Sequence, residues 1–360
     1  MRPQQIVIVL SGFPRRSETF ALSEVSALDE QGLVAAVFST KPGETGCPQP
    51  QAWRLLSRVH MLSGEPNVQA AAAARRLDGT PVAGVHAYFA HTPATVASSL
   101  AQLLGVPFGF SVHARDARKI ARDELHARAR RAACVVACNT DVARELSGSG
   151  AHVQIVPHGI DLRRFAPARP DVSATHPQLQ LLAVGRLIEK KGFDVLLDAL
   201  PLVAVPWTLR IIGDGPDRDR LTAQARALGL SSRVSFCGAL THHALPLEYQ
   251  NADAVVVPSI IDRSGDRDGL PNVVLEAMAS GRAIIATDTG AIASAIEDGD
   301  TGVLVRAGDR VGLARALERL GMNPKLRAEL GAAARAAAER RFEVGACTRR
   351  LASVLREAYA

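Results

Sequence analysis

The stretches ADAVVVPS (Ala252–Ser259), DGLPNVVLEAMASG (Asp268–Gly281) and AIIATD (Ala283–Asp288) follow one another along the chain. The first and third are short, apolar and bounded by Pro, Gly or Asp, which is how strands buried on both faces read. The middle stretch reads as a loop that opens a helix. Pro271 suits the first helical turn, and Gly281 suits the left-handed position after the last. Strand, loop, helix, strand is the repeating unit of a parallel sheet.

The same alternation continues in both directions. With Ala254–Val257 and Ala283–Thr287, the apolar runs Leu181–Val184, Leu209–Ile212, Val234–Phe236 and Val303–Val305 predict six strands in the second half. The first half carries six more, at Ile6–Leu10, Ala35–Ser39, Val85–Ala90, Phe108–His113, Ala133–Ala137 and Val153–Pro157. Between the halves, residues 166–178 (APARPDVSATHPQ) hold three prolines and no apolar periodicity, so they read as a linker. The expected fold class is α/β, with two doubly wound parallel-sheet domains at 1–165 and 179–340. Residues 341–360 read as a C-terminal helix packing back on the first domain, with Leu351, Val354 and Leu355 available for its buried face. Doubly wound domains bind ligands outside the carboxyl ends of their strands, so two facing halves predict one cleft.

Composition narrows the function. The 360 residues are 47% apolar and 22% charged, a globular balance with length enough for two cores. A formal net charge of +6 favours anionic partners. Aromatic content of 4% offers few stacking residues, and the cations gather at strand ends, which argues against nucleic acid. No run approaches the roughly 20 apolar residues of a spanning helix, and the opening apolar run is halted by Gly12 and Pro14, so neither a span nor a signal peptide is expected. The five scattered cysteines fit small apolar packing in a reducing, cytoplasmic chain and predict no structural metal.

Candidate chemistry sits at the strand ends. The loop amides around Gly269 and Leu270 make a helix-start cradle for an anionic or hydroxylated ligand. Asp268 precedes that helix and Glu276 lies two turns in, about 12 Å along at helical rise. Arg186 follows a strand ending at Gly185, and Lys190 and Lys191 precede the next helix. A planar guanidinium and a compact ammonium suit a departing diphosphate, where they would replace a metal ion. Gly213 and Gly215, in LRIIGDGPDRDRL, allow close backbone approach but lack dinucleotide-fingerprint spacing, so no nicotinamide cofactor is inferred. In the first half, Gly12 follows a strand and leads toward Ser17, Glu18 and Thr19 near a helix start. His113 closes a strand, with Arg115 and Asp116 beside it, and the basic run from Arg115 to Arg131 would face anionic lipid or water.

With these residues in view, the chain resembles the retaining GT-B glycosyltransferases of the bacterial group 1 family, closest to the colanic-acid and exopolysaccharide type. FPRRSETFALSEVSALDEQG, VHAYFAHTPATVASSLAQLLGVPFGFSVHARD and VPHGIDLRRFAP carry the resemblance in the first half. In the second, VGRLIEKKGFDVLLDAL, IIGDGPDRDRL, VSFCGAL and DGLPNVVLEAMASGRAIIATDTG occur in the family's order. The resemblance implies Rossmann-like domains, the first on the acceptor side and the second binding the nucleotide-sugar. It implies that Arg186 and Lys191 grip the donor diphosphate, that Glu276 holds the ribose, and that Asp268, Gly269, Leu270, Pro271 and Asn272 hold donor sugar and phosphate. Gly12 would face the diphosphate, and His113 would contact the reacting sugar, with Asp116 as companion. Two departures stand out: Asp268 replaces the first of the usual paired glutamates, and Tyr88 replaces the second histidine of an HAHF segment.

The expectation is a metal-independent retaining hexosyltransferase that uses a UDP- or GDP-hexose and no cofactor. It would act on a polysaccharide precursor or lipid-linked acceptor, with peripheral association to an anionic membrane at its inner face. A nucleotide-sugar epimerase on the same fold, or an idle nucleotide-sugar-binding subunit, are the alternatives.

Overall fold

The computed structural model describes residues 5–15, 19–44, 54–167, 178–241 and 243–360. Ser17, Glu18 and residues 168–177 of the expected linker lie outside the described residues. By contact the chain divides into two units, Met1–Gly159 with Gly345–Ala360, and Ile160–Val344.

In the first unit, seven strands form one parallel sheet: β1 (Ile6–Phe13), β2 (Val34–Pro42), β3 (Val59–Met61), β4 (Gly84–Ala87), β5 (Phe108–Val112), β6 (Cys134–Ala137) and β7 (Val153–Ile155). Their order is β3-β2-β1-β4-β5-β6-β7. In β1 the side chains alternate: Val7 and Val9 enter one core layer, Ile6, Ile8 and Leu10 the other. Both faces are therefore buried, which is why the strand reads as a continuous apolar run. The sequence predicted every strand here but β3. That strand is three residues long at the sheet edge, with Val59 and His60 half-buried and Met61 exposed, so no apolar run announces it. From Gly345 onward the helix Val344–Ala358 belongs to this unit, and Leu351, Ala352, Leu355 and Tyr359 complete the second layer.

The second unit repeats the plan with β8 (Leu179–Val184), β9 (Trp207–Ile212), β10 (Val234–Phe236), β11 (Ala254–Val257), β12 (Ala283–Thr287) and β13 (Val303–Val305). These run parallel in the order β10-β9-β8-β11-β12-β13. Leu179, Leu181 and Ala183 of β8 face one layer and Leu182 the other. Ile160 pairs with Glu343 in an isolated bridge, and Phe165 meets Tyr249 edge-on at 5.7 Å, so the segment ahead of β8 packs within this unit. No helix among the described residues is long and apolar enough to cross a membrane.

Candidate functional site

The second sheet reverses its order between β8 and β11. Loops that leave two strands in opposite senses open a crevice at their carboxyl ends, and those loops carry the predicted charges. After β8 the chain turns through Glu189–Lys191, where the Ile260 amide donates to the Lys190 carbonyl at 2.9 Å. That bond ties the β8 loop to the β11 loop. Lys191 Nζ reaches Asp268 Oδ2 at 2.7 Å, and the Ser259 hydroxyl donates to the same oxygen at 2.9 Å. Lys190 Nζ lies 3.6 Å from Asp268 Oδ1 and 3.0 Å from Asp266 Oδ2. Burial pushes the Asp268 carboxyl up, but Lys191, Lys190 and Ser259 outweigh it and hold the group below its ordinary 3.8.

Residues Gly269–Pro271 form a non-helical bend before the helix Asn272–Ala279. Pro271 is extended, at φ −67 and ψ 137, and so stands just ahead of the first helical turn. Glu276 is accordingly little more than one turn into the helix, and the 12 Å spacing expected from helical rise does not apply, because residues 268–271 do not rise as a helix. Among the described residues, the amides of Gly269, Leu270 and Asn272 donate no hydrogen bond, which leaves a donor-lined helix start. Gly281 closes the helix by donating to Met278 while Arg282 donates to Ala277, the paired bonds of a Schellman end.

Glu276 is buried, and the Tyr249 hydroxyl donates to its Oε2 at 2.6 Å. Burial raises its carboxyl above the ordinary 4.5, against the opposing pull of Tyr249, Arg164 and Lys191. Lys191 thus acts on both carboxylates, Asp268 and Glu276. Arg164 faces Glu276 electrostatically, and its Nη2 is buried with no hydrogen-bond partner among the described residues. Sequence reasoning missed Tyr249 and Arg164. Their signal is faint: an aromatic inside the polar segment LPLEYQN, and one arginine among several in IDLRRF.

Arg186 is exposed just past β8, and its side chain makes no hydrogen bond or ion pair among the described residues. Its loop is shaped by the glycines after β9. A Cβ at Gly213, where φ is +136, would lie 1.8 Å from the Gly185 carbonyl oxygen, and one at Gly215 would lie 2.4 Å from that of Leu187. These glycines therefore admit a neighbouring backbone. Gly213→Ala should destabilise the protein by on the order of 3 kcal/mol, read as a shift in the urea midpoint at constant slope. A wild-type midpoint would refute the packing role.

In the first unit, Gly12 lies inside β1, and a Cβ there would meet the Pro42 carbonyl oxygen at 2.8 Å. The predicted strand ended at Leu10; pairing with Lys41 and Pro42 of β2 carries it to Phe13. His113 follows β5 and is buried, and its pKa is well below 6.5, from burial first and then the neighbouring His158, His86 and His91. The side chains of Arg115 and Asp116 lie outside the described residues. Much of the basic run is engaged internally: Arg118 pairs with Asp141 at 3.0 Å, Arg128 with Glu124 at 2.7 Å, and Arg131 donates to Ser98 at 3.1 Å. His86 is fully buried between Tyr359 and Ser111, at 3.0 and 2.9 Å. Glu24 and His158, absent from the sequence-based site, form a part-buried pair beside His113. No group of three or more His, Cys, Asp or Glu among the described residues is arranged to hold a metal ion.

The sequence family described as Glycosyltransferase Family 4 matches residues 17–164, and that described as Glycosyl transferases group 1 matches residues 178–323. The putative colanic acid biosynthesis glycosyltransferase WcaL of Escherichia coli is 25% identical over 347 residues, covering 81% of this chain and 84% of that protein. The GDP-mannose-dependent alpha-(1-6)-phosphatidylinositol monomannoside mannosyltransferase of Mycolicibacterium smegmatis is 32% identical over 199 residues, covering 52% of each chain. Anabaena HepE, solved with UDP, superposes with a TM-score of 0.83 at 19% identity, covering 98% of this chain and all (100%) of that one. At that identity the likeness speaks for the fold, which is GT-B.

Proposed function

This chain belongs to the group 1 glycosyltransferases, and we propose that it transfers a hexose from a UDP- or GDP-sugar with retention of anomeric configuration, without a metal ion. The observation that carries this reading is the meeting of Lys191, Asp268 and the open amides ahead of Asn272 at the strand-order reversal, with Glu276 on the helix those amides begin. Lys191, Arg186 and the amides supply positive charge where a metal would otherwise sit. The anomeric C–O bond breaks, its electron pair goes to the departing diphosphate, and those groups stabilise the charge as it forms. The acceptor hydroxyl attacks from the face the diphosphate leaves and gives its proton to a phosphate oxygen. Glu276 holds the nucleotide ribose, Asp268 and the Gly269–Asn272 bend hold sugar and phosphate, and His113 contacts the transferring sugar. The Anabaena protein was solved with UDP and with UDP-glucose, and the mycobacterial relative is named for GDP-mannose, which supports these two donor classes. The names of WcaL and of a lipopolysaccharide outer core galactosyltransferase, a structural neighbour, support an acceptor on a polysaccharide precursor or lipid carrier.

The test is binding and slow hydrolysis of UDP- and GDP-hexoses by the purified protein in EDTA, with products read by proton NMR. One donor class should bind and release a sugar of unchanged anomeric configuration before mutarotation. An inverted sugar, a strict need for divalent cation, or an epimerised nucleotide-sugar as the sole product would overturn the proposal.

A further inference from the structure

The helix Thr19–Glu30 presents Phe20 and Glu24 four residues apart, on one face. Glu24 is buried, and both its oxygens are engaged. Oε2 accepts from the Tyr88 hydroxyl at 2.8 Å, and Oε1 lies 2.7 Å from His158 Nδ1. Among the described residues, four rings pack around His113. Phe20 and Phe89 lie at 4.9 and 5.0 Å, tilted by 41° and 50°. Tyr88 and His158 lie at 6.3 and 5.1 Å and are nearly parallel to the imidazole, at 23° and 16°. The two parallel rings are the two that Glu24 holds.

A buried carboxylate is expensive to desolvate, and apolar side chains of similar shape commonly replace such groups without loss of stability. What an apolar replacement cannot supply is direction: two hydrogen bonds accepted by one rigid carboxylate fix two ring planes at once. We propose that Glu24 is a positioning residue that clamps Tyr88 and His158 and so sets the plane of the His113 ring, an inference that rests on the assignment of His113 to the transferring sugar. The position where Tyr88 departs from the family's histidine thereby acquires a use, since its hydroxyl is one arm of the clamp. Charge follows the same geometry. Burial lowers His158, but Glu24 and Cys138 beside it hold it up at about 10, so its ring is cationic at neutral pH. His113, buried and next to that cation, with His86 and His91 acting in the same direction, stays neutral.

The experiment compares Glu24→Leu, which removes both acceptors, with Glu24→Gln, which keeps an oxygen for Tyr88 and offers an amide hydrogen to a neutral His158. Donor turnover and KM are measured with UDP-glucose and GDP-mannose, and ¹⁵N-histidine spectra report ring protonation at pH 7.5. Glu24→Leu should lose turnover on the order of 10–100-fold with KM within about twofold, and Glu24→Gln should recover most of it. His158 should show two protonated ring nitrogens in the wild type and lose that signature in Glu24→Leu. Tyr88→Phe, which drops one arm and keeps the ring, replaces Glu24→Leu if the latter does not fold, with a smaller loss of the same kind. Wild-type turnover in Glu24→Leu, equal failure of Leu and Gln, or an unchanged His158 signature would overturn the clamp. His113→Ala separates the two ideas: full turnover in that variant removes the sugar-contact assignment, while the histidine spectra still report whether Glu24 fixes the rings.

Discussion

Lys191→Ala is expected to lower donor turnover by about 10²–10³, the usual loss when one preorganised group facing developing negative charge is removed. It should also destabilise the fold. Asp268 is 8% exposed, and without Lys191 it keeps, among the described residues, Lys190 at 3.6 Å and the Ser259 hydroxyl. Removing one partner of a buried ion pair costs about 3–5 kcal/mol, because the remaining charge is left uncompensated. The two effects separate in the double variant Lys191→Ala/Asp268→Asn, which should regain much of the stability and none of the turnover. Acid sensitivity carries a third signature. The Asp268 carboxyl is lowered by folding, so its contribution to stability is complete above the ordinary 3.8 and is lost as pH falls through the lower folded value. Urea unfolding in steps below pH 4 should show a shallower decline for Lys191→Ala than for the wild type, whose carboxyl has more interaction to lose. A Lys191→Ala protein with wild-type turnover would remove this side chain from the mechanism.

What the sequence made legible and what it hid divide along sequence distance. Asp268, the Gly269–Pro271 bend and Glu276 lie in one segment between two strands, so local pattern alone brought them forward. Lys191 became visible because a strand ends just before it, and the parallel-sheet plan sends that end to the ligand side. Its contact with Asp268 spans 77 residues and needed the sheet order, with β8 beside β11, to be seen. The partners of Glu276 were hidden for the same reason: Tyr249 stands 27 residues before it, on a helix whose sequence is mostly polar. Glu24 and His158 are 134 residues apart, and each reads alone as an ordinary helix acid and a loop histidine. Edge strand β3 escaped because half-exposed edges do not carry the apolar run that marks a buried strand.

Glu276→Gln should weaken donor binding by about 10–100-fold, the loss of a charge-assisted hydrogen bond, while leaving the urea midpoint near that of the wild type. The reasoning starts from the two carboxylate oxygens. Oε2 is committed to the Tyr249 hydroxyl, whereas Oε1 accepts no hydrogen bond among the described residues, so it is the atom left for a ligand hydroxyl. A glutamine keeps an oxygen for Tyr249 and presents an amide in place of Oε1, which preserves the packing and removes the charge. Tyr249→Phe does the reverse. It leaves Oε1 in place but deprives a buried oxygen of its donor, which costs about 1–3 kcal/mol of stability. It also removes one of the groups that hold the Glu276 carboxyl down against burial, so that carboxyl should rise further above 4.5. A carboxyl raised by folding destabilises the folded state when ionised, so the Tyr249→Phe deficit should shrink as pH falls through the raised value. Donor affinity moves in the opposite direction, because the protonated acid loses its hold on the hydroxyl at a higher pH than in the wild type. Calorimetric titration with UDP and GDP between pH 4.5 and 8 reads the affinity limb, and urea unfolding over the same range reads the stability limb. If Tyr249→Phe binds nucleotide with the wild-type pH dependence, Glu276 is not the group that holds the ribose.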